Sequence, residues 1–533
     1  AGSRRALAAL DARTGELLWM HRLDEGERGQ QAPRRLSGHG LAFWDDGAAG
    51  RILYVTPGYH LVALNASTGD QIPNFGLDGI VDLKRDLDQD IDPVTGEVGL
   101  HAAPVVAGNT IIIGAAHAVG GAPASRENVK GYVRGYDVRT GERKWIFHTI
   151  PQPGEYGHET WLNESWRYTG NTGLWGQVTV DLDLGLAYLP LEMPTGDYYG
   201  GHRLGDNLFG DSLVAVDLET GERVWHYQTV HHDVWDLDLP CAPILADITV
   251  DGRAIKAIVQ PTKQGFLFVF DRVTGEPVWP IEERPVPPSD VPGEVLAPTQ
   301  PYPTKPPPFD RQGIGPNDLI DFTPALRAEA LEVASRFRLG PLYTPPSVAT
   351  ADGTYGTLMI PSSTGGPNWP GGALDPETGI FYIYSKTQVA TLGLVNNPER
   401  SDMDFIRGRP TGVNAARAAL SVSGLPLVKP PWGRITAIDL NVGEILWQVA
   451  HGETADRVRD HPALQDFDIP RTGRVGRVGT LVTKTLVIAG DGGVFTSADE
   501  REGARLRAYD KMTGQEIDAV FMPSSQTGSP MTY

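Results

Sequence analysis

Within eight residues the chain places His231-His232-Asp233-Val234-Trp235-Asp236-Leu237-Asp238, which is three carboxylates, two histidines and a tryptophan. No surface loop needs that combination for solubility. Carboxylates at this density can give a metal hard oxygen ligands and can take a proton as a general base. Asp236 reads as a catalytic base beside a divalent or trivalent metal. Asp238, two residues on, lies on the same side as Asp236 if the chain is extended there. The same residues also suit an ordinary acidic turn between two strands, and the stretch alone does not choose between the two.

The elements that would position these groups come from a repeat. Its phrase is a small or aromatic residue, any residue, Asp, two residues, Thr-Gly, a charged residue, two residues and Trp. Ala9-Leu10-Asp11-Ala12-Arg13-Thr14-Gly15-Glu16-Leu17-Leu18-Trp19 is one copy. Others occupy residues 137–145, 217–225, 271–279 and 439–447, with weaker copies at Asn65-Ala66-Ser67-Thr68-Gly69 and Asp510-Lys511-Met512-Thr513-Gly514. The apolar run before each Asp predicts a strand. Asp-x-x-Thr-Gly predicts a tight turn in which Asp caps the backbone and Gly takes a positive φ. The Trp ending the next strand suits packing between neighbouring units. Copies begin at 11, 65, 137, 217, 271, 439 and 510, so the spacings are 54, 72, 80, 54, 168 and 71, and the gap of 168 has room for two units. These features predict an all-β, eight-bladed β-propeller with tryptophan docking motifs, a single domain over residues 1–533. A second hairpin signal recurs at residues 180–188 and 374–382, and the later one is expected in the unit hidden in the long gap.

One region departs from the repeat. Residues 280–308 hold eleven prolines, which predicts an ordered or semi-rigid excursion rather than a blade strand. Thr323-Pro324 then opens a helical stretch over residues 325–338, with Thr323 as N-cap and Pro324 at the first helical position. Residues 280–345 are therefore expected to be a long insertion on one face, a lid or docking surface.

Composition sets bounds. The 533 residues can bury a large core, and the net charge of −20 argues against nucleic acid and anionic membrane surfaces as partners. Cys241 is the single cysteine, so no disulfide within the chain and no CxxCH haem attachment can form. No apolar run is long enough to span a membrane, and no signal or anchor segment is visible. Both ends read as cut.

The repeat and residues 231–238 together resemble the quinoprotein dehydrogenases that use pyrroloquinoline quinone (PQQ). The likeness is greatest to the PQQ domain of the membrane-bound quinoprotein glucose dehydrogenases and covers essentially the whole chain. It is carried by Gly79-Ile80-Val81-Asp82-Leu83-Lys84, by His231-His232-Asp233-Val234-Trp235-Asp236 and by Thr262-Lys263-Gln264-Gly265. Glu282-Glu283-Arg284-Pro285-Val286-Pro287, Pro298-Thr299-Gln300-Pro301-Tyr302 and Gly366-Pro367-Asn368-Trp369 follow in family order. The resemblance implies that Asp236 takes the alcohol proton as hydride leaves for the quinone, and that Lys263 contacts the quinone oxygens. It implies Trp175 as the aromatic floor under PQQ, 61 residues before Asp236, Asn368 as an amide bonded to the quinone, and His39 and Thr195 as further cofactor contacts.

The implied metal ligands are Asp236, Asp197 where relatives have Asn, Asp238, and Glu127 or Asn128. Ca2+ is the implied ion, with Mg2+ or a lanthanide as alternatives; Asp238 matches an aspartate that adds a ligand in lanthanide-using members. The chain lacks the adjacent cysteines of many soluble quinoprotein alcohol dehydrogenases, which favours the glucose-dehydrogenase side.

The function so implied is a periplasmic PQQ-dependent dehydrogenase. It would oxidise a glucose-like aldose or another alcohol and pass electrons to a quinone or a cytochrome. The alternative is a cofactor-free propeller acting as a scaffold or binding module, which would need the blades but not the polar set.

Overall fold

The repeated phrase does close turns. Asp137 Oδ1 accepts from the backbone N–H groups of Arg139 (2.8 Å) and Thr140 (2.9 Å), and Gly141 N–H donates to Asp137 O at 2.9 Å. Asp217 repeats this with Glu219 (2.9 Å) and Thr220 (2.8 Å), and Gly221 adopts a φ of +72°. A side-chain acceptor two and three residues upstream of free N–H groups fixes such a turn without help from other strands.

These turns join the last two strands of antiparallel sheets. The computed structural model describes residues 6–35, 40–118, 120–497 and 499–532. The chain divides into two compact units, Ala1–Thr195 with Asn207–Gln228, and Gly196–Asp206 with Thr229–Tyr533. In the first unit, three four-stranded meanders follow the short hairpin Leu7–Leu10/Leu17–His21. One runs Ala42–Asp45, Gly50–Val55, His60–Asn65, Ile80–Asp82, and the next Val105–Ala107, Thr110–Ile113, Val133–Asp137, Arg143–Phe147. The third is Thr179–Asp181, Leu186–Pro190, Ser212–Asp217, Arg223–Gln228. Apolar faces of adjacent sheets meet in continuous cores, such as Ile112, Val133 and Trp145 with Leu189, Val214 and Val216.

In the second unit, Ile244–Val250, Arg253–Pro261 and Leu267–Asp271 form a three-stranded meander that leads into the turn at Lys263. One sequence expectation is corrected here. The hairpin at residues 374–382 is not in a separate hidden unit. Gly372–Asp375 and Ile380–Lys386 pair with Gly433–Asp439 and Glu444–Ala450, so this hairpin and the Asp439 turn share one sheet. The sequence gap between them is filled by inserted structure, which separates strands that are neighbours in space. The Pro-rich stretch forms a two-stranded ribbon of its own, Ile281–Pro285 with Thr299–Pro303, outside the meanders. Proline is tolerated on the outer edges of a two-stranded ribbon, where no ladder hydrogen bond is required of it.

The helix begins as expected, with the Thr323 hydroxyl accepting from Leu326 N–H at 3.1 Å. It covers Pro324–Ala334 and stops before residue 338, since Arg338 turns away to bridge Thr357. It buries Leu326, Ala330 and Val333 against Val422, Leu425, Leu427 and Trp432, so the helix shares one core with residues well beyond 345. Among the described residues no helix is long and apolar enough to cross a membrane.

The docking tryptophans explain how one sheet fixes the next. Trp145 donates its indole N–H to Leu218 O at 3.0 Å, the residue after Asp217. Trp19 donates to Ala66 O (3.0 Å) and Trp447 to Lys511 O (3.1 Å) at the same place in their partner turns. Each indole lies over the turn glycine, and a Cβ on Gly221 would come within 2.6 Å of the Trp145 ring. The glycine is thus required twice, by its positive φ and by the ring. Where the Trp is missing, Arg51 takes the role and donates to Val138 O (3.1 Å) and Arg139 O (2.9 Å). Trp145→Phe keeps the ring and deletes the donor, leaving the Leu218 carbonyl without its partner. It is expected to lower stability by about 1–3 kcal/mol, read as a lower midpoint in chemical denaturation; an unchanged midpoint would show that the indole N–H does not hold the sheets.

Candidate functional site

The segment 231–238 is a caged loop, and the cage is built from its own ends. The Asp233 carboxylate accepts from Trp235 N–H (2.7 Å) and Leu237 N–H (2.6 Å), so one side chain closes the turn that presents Asp236. Arg203, fully buried, donates to Asp233 O at 2.5 Å and to Gly196 O at 3.0 Å. Trp235 is buried and anchors the loop, with its indole N–H on Thr344 O at 3.0 Å and its ring edge-on to Tyr343 at 5.2 Å. The two histidines are used for support. The Gln300 amide brackets the backbone of His231, accepting from its N–H (2.8 Å) and donating to its C=O (2.7 Å). His232 Nδ1 donates to Gly205 O (2.8 Å), and its Nε2 meets Glu294 Oε1 at 2.7 Å.

Held in this way, Asp236 has a φ of +61°. A non-glycine residue in the left-handed region costs of the order of 1–3 kcal/mol and persists only where its surroundings impose it. The extended geometry expected for Asp236 and Asp238 is therefore absent. Their carboxylates nevertheless converge, because both reach Lys263. Lys263 Nζ lies 2.6 Å from Asp236 Oδ1, 2.8 Å from Asp236 O and 3.1 Å from Asp238 Oδ2. The lysine side chain is 4% exposed, whereas Asp236 keeps 20% of its side-chain surface open, so the carboxylate is the more accessible member of the pair. Tyr198 donates its hydroxyl to Asp236 Oδ2 at 3.3 Å.

Burial pushes the Asp236 carboxyl above the ordinary carboxylate range, with the Lys263 charge opposing and Asp238 adding to the rise. Burial works against the Lys263 charge, but the two carboxylates outweigh it and hold the ammonium above its ordinary value. The result is a carboxylate with more proton affinity than usual, next to a fixed cation. That is what a base and an oxyanion stabiliser require.

The turn carrying Lys263 is tied to the loop of Asn368. Gly366 N–H donates to Lys263 O at 2.9 Å, and Lys386 N–H donates to Gly366 O at 3.0 Å. Asn368 uses its side chain within this loop, donating to Thr364 O (2.7 Å) and accepting from Trp369 N–H (2.9 Å). Asp197 is buried in the same unit, beside Tyr198. In the first unit, Trp175 stacks on His101 at 5.6 Å and 25°. Thr195 is fully buried and donates to Asn171 Oδ1 at 3.3 Å, which also accepts from Asn128 at 3.1 Å. Glu127 is exposed and its N–H caps onto Ser125. His39 lies outside the described residues.

Several polar residues here had no sequence signal. Tyr198 and Arg203 lie in Gly196-Asp197-Tyr198-Tyr199-Gly200-Gly201-His202-Arg203, and only Asp197 drew attention in that stretch. Lys386 is buried, and its ammonium donates to Thr364 Oγ1 at 2.8 Å, a neutral partner. Burial, Arg477 and Lys263 together push Lys386 down to about 8. The buried pair Glu192 and His117 sits under Gly173, whose N–H donates to Glu192 Oε1 at 3.1 Å.

Lys263 is already met by two carboxylates, but Lys386, a buried ammonium with no carboxylate ion-paired to it among the described residues, fits a ligand bearing negative charge. PQQ is such a ligand, a planar quinone bearing carboxylates. The fit to a metal is poorer. Asp236 and Asp238 are hard oxygen donors, but the charge between them is that of Lys263. Among the described residues no three His, Cys, Asp or Glu side chains converge on one point.

The chain is similar to known proteins over most or all of its length. A family model described as "PQQ: Glucose/ethanol/alcohol dehydrogenase, beta-propeller domain" matches residues 1–533. The quinate/shikimate dehydrogenase (quinone) of Acinetobacter baylyi is 30% identical over 499 residues, which cover 89% of this chain and 58% of that protein. The quinoprotein glucose dehydrogenase of Escherichia coli is 29% identical over 568 residues, covering 100% of this chain and 66% of that protein. The solved quinohemoprotein alcohol dehydrogenase of Pseudomonas putida HK5 shares the fold, with a TM-score of 0.63 at 24% identity over 100% of this chain and 66% of that one. The chain thus spans about three fifths to two thirds of the length of these relatives. It belongs to the PQQ-dependent glucose/ethanol/alcohol dehydrogenase family, of which it is the β-propeller domain.

Proposed function

We propose that residues 1–533 form one eight-bladed quinoprotein propeller that oxidises a sugar, such as a glucose-like aldose, or another alcohol. The observation that carries this reading is the Lys263 ammonium between Asp236 and Asp238, in a chain of this family. When bound, PQQ supplies a quinone that accepts hydride from the substrate carbon. The residues of the chain prepare for that transfer. Lys263 fixes Asp236 Oδ1, so Oδ2 is the oxygen left to approach a substrate hydroxyl, and the Tyr198 hydroxyl orients it. Asp236 Oδ2 takes the hydroxyl proton. Lys263, besides holding Asp236, would supply positive charge to stabilise a reduced quinone if PQQ is bound beside it. Lys386 offers a second ammonium to a cofactor carboxylate. Trp175, Thr195, Asn368 and His39 are the further cofactor contacts proposed. Asp236, Asp238 and Asp197 are the oxygen donors proposed for Ca2+, with Mg2+ or a lanthanide as the ions to test beside it. The electron acceptor proposed is a quinone or a cytochrome, and the compartment the periplasm. A cofactor-free scaffold would have no use for buried cations facing two carboxylates at a partly open loop.

Reconstitution of the chain with PQQ and each ion, followed by dye reduction with glucose and a panel of alcohols, tests this reading. Turnover with at least one pair is expected, and none with any pair would defeat it. Asp236→Asn should keep PQQ bound and lose activity by at least 10^2-fold, the usual scale for a general base; retained turnover would remove Asp236 from that role. The pair also makes a prediction for the cofactor-free chain. Lys263→Met leaves two buried carboxylates without a counter-charge and should cost roughly 3–5 kcal/mol. Asp236→Asn should cost clearly less, because Asp238 still pairs with the lysine. Equal denaturation midpoints for the two variants would contradict this.

A further inference from the structure

A cavity of about 630 Å3 opens in the second unit among residues 387–389, 420–428, 455–458 and 473–475, with Trp432 on its wall. The size is that of a small-molecule site. Val389, Leu425, Val428, Trp432 and Val458 give it an apolar lining, and Arg474 supplies a charge. The backbone of Arg474 is fixed, with its N–H donating to His451 O at 2.9 Å and its carbonyl accepting from the Tyr384 hydroxyl. Its guanidinium is not. Among the described residues no acceptor hydrogen-bonds or ion-pairs with it, and Nη1 is buried without a partner.

Other buried arginines are treated differently. Arg507 is held by Asp491, Glu453 and Glu516, and Arg434 by Asp310. Two carboxylates face Arg474, and neither is within ion-pair distance of its guanidinium; Asp456 also stands on the cavity wall, where its Oδ1 is buried without a hydrogen bond. Asp491 Oδ1 accepts from Arg507 Nε at 2.7 Å. Asp456 Oδ2 accepts from Thr496 N–H (3.0 Å) and Oγ1 (2.9 Å), and its Oδ1 lies 3.0 Å from Arg459. Arg457, exposed on the same short helix as Asp456, adds positive charge at the rim. Burial pushes the Arg474 guanidinium below its ordinary value, with Asp456 and Asp491 opposing and Arg457 and Arg459 adding to the fall. A guanidinium fork is matched by a planar carboxylate, and the apolar walls by a ring or short hydrocarbon frame.

We propose that this cavity binds a small organic carboxylate, its carboxylate on Arg474 and its apolar frame against Trp432 and Val428. The site does not depend on which alcohol the chain oxidises. Calorimetric titration of the 533-residue chain with benzoate and with its neutral isostere benzamide, each with and without PQQ loaded, tests it. Benzoate should bind at least tenfold more tightly than benzamide in both forms. Arg474→Gln should abolish that preference, and Arg474→Lys should retain part of it. Val389→Trp, which fills the cavity from a half-buried wall position, should block both ligands and keeps the test decisive if Arg474→Gln does not fold. Equal binding of the two ligands, no saturable benzoate binding, or benzoate binding that survives a folded Arg474→Gln would each overturn the proposal. Loss of benzoate binding on loading with PQQ would also overturn it, by placing Arg474 in the cofactor's own site.

Discussion

Two carboxylates and one ammonium meet behind a partly open loop, and most of the surrounding structure exists to make that meeting affordable. Removing an ion from water costs several kcal/mol even after relaxation, and a pair repays this only when its geometry is fixed in advance. Lys263 meets that condition by spending all its hydrogen bonds on Asp236 Oδ1, Asp236 O and Asp238 Oδ2. Asp236 can be there only because Asp233 closes the preceding turn, Arg203 clamps its carbonyl and Trp235 is locked on Thr344. The left-handed φ of Asp236 is the local strain that this cage sustains.

The cage in turn needs a rigid frame. Strand meanders alone would slide over one another, since their contact is mostly apolar and non-directional. The indole N–H bonds from Trp19, Trp145 and Trp447 add direction, each to the carbonyl of the residue following the turn's Asp or Asn. A single residue type thereby fixes both the distance and the register between sheets. The glycine beneath each ring lets the contact close.

How much of this was legible in the sequence depended on whether the signal was local. The Asp-x-x-Thr-Gly turns and their tryptophans could be read because every group involved lies within a few residues. The helix start at Thr323 was readable for the same reason. The hairpin at residues 374–382 was misassigned, because inserted structure separates it in sequence from the strand Gly433–Asp439 that it pairs with. In the site, Asp236 and Lys263 were named although they are 27 positions apart, and family phrases supplied that link. Tyr198, Arg203 and Lys386 carried no such phrase, and a buried lysine on an apolar strand looks like any strand end. The backbone twist at Asp236 was also hidden, since nothing in Trp235-Asp236-Leu237 favours a positive φ.

Equilibrium titration of PQQ into the cofactor-free chain, followed by quenching of tryptophan fluorescence, bears most directly on the role of the Lys263 site. Saturable uptake of one PQQ per chain, weakened at least tenfold by Lys386→Met in a protein that remains folded, is the expected result. Absence of saturable uptake by the wild-type chain would contradict the assignment of these buried cations to a quinone cofactor.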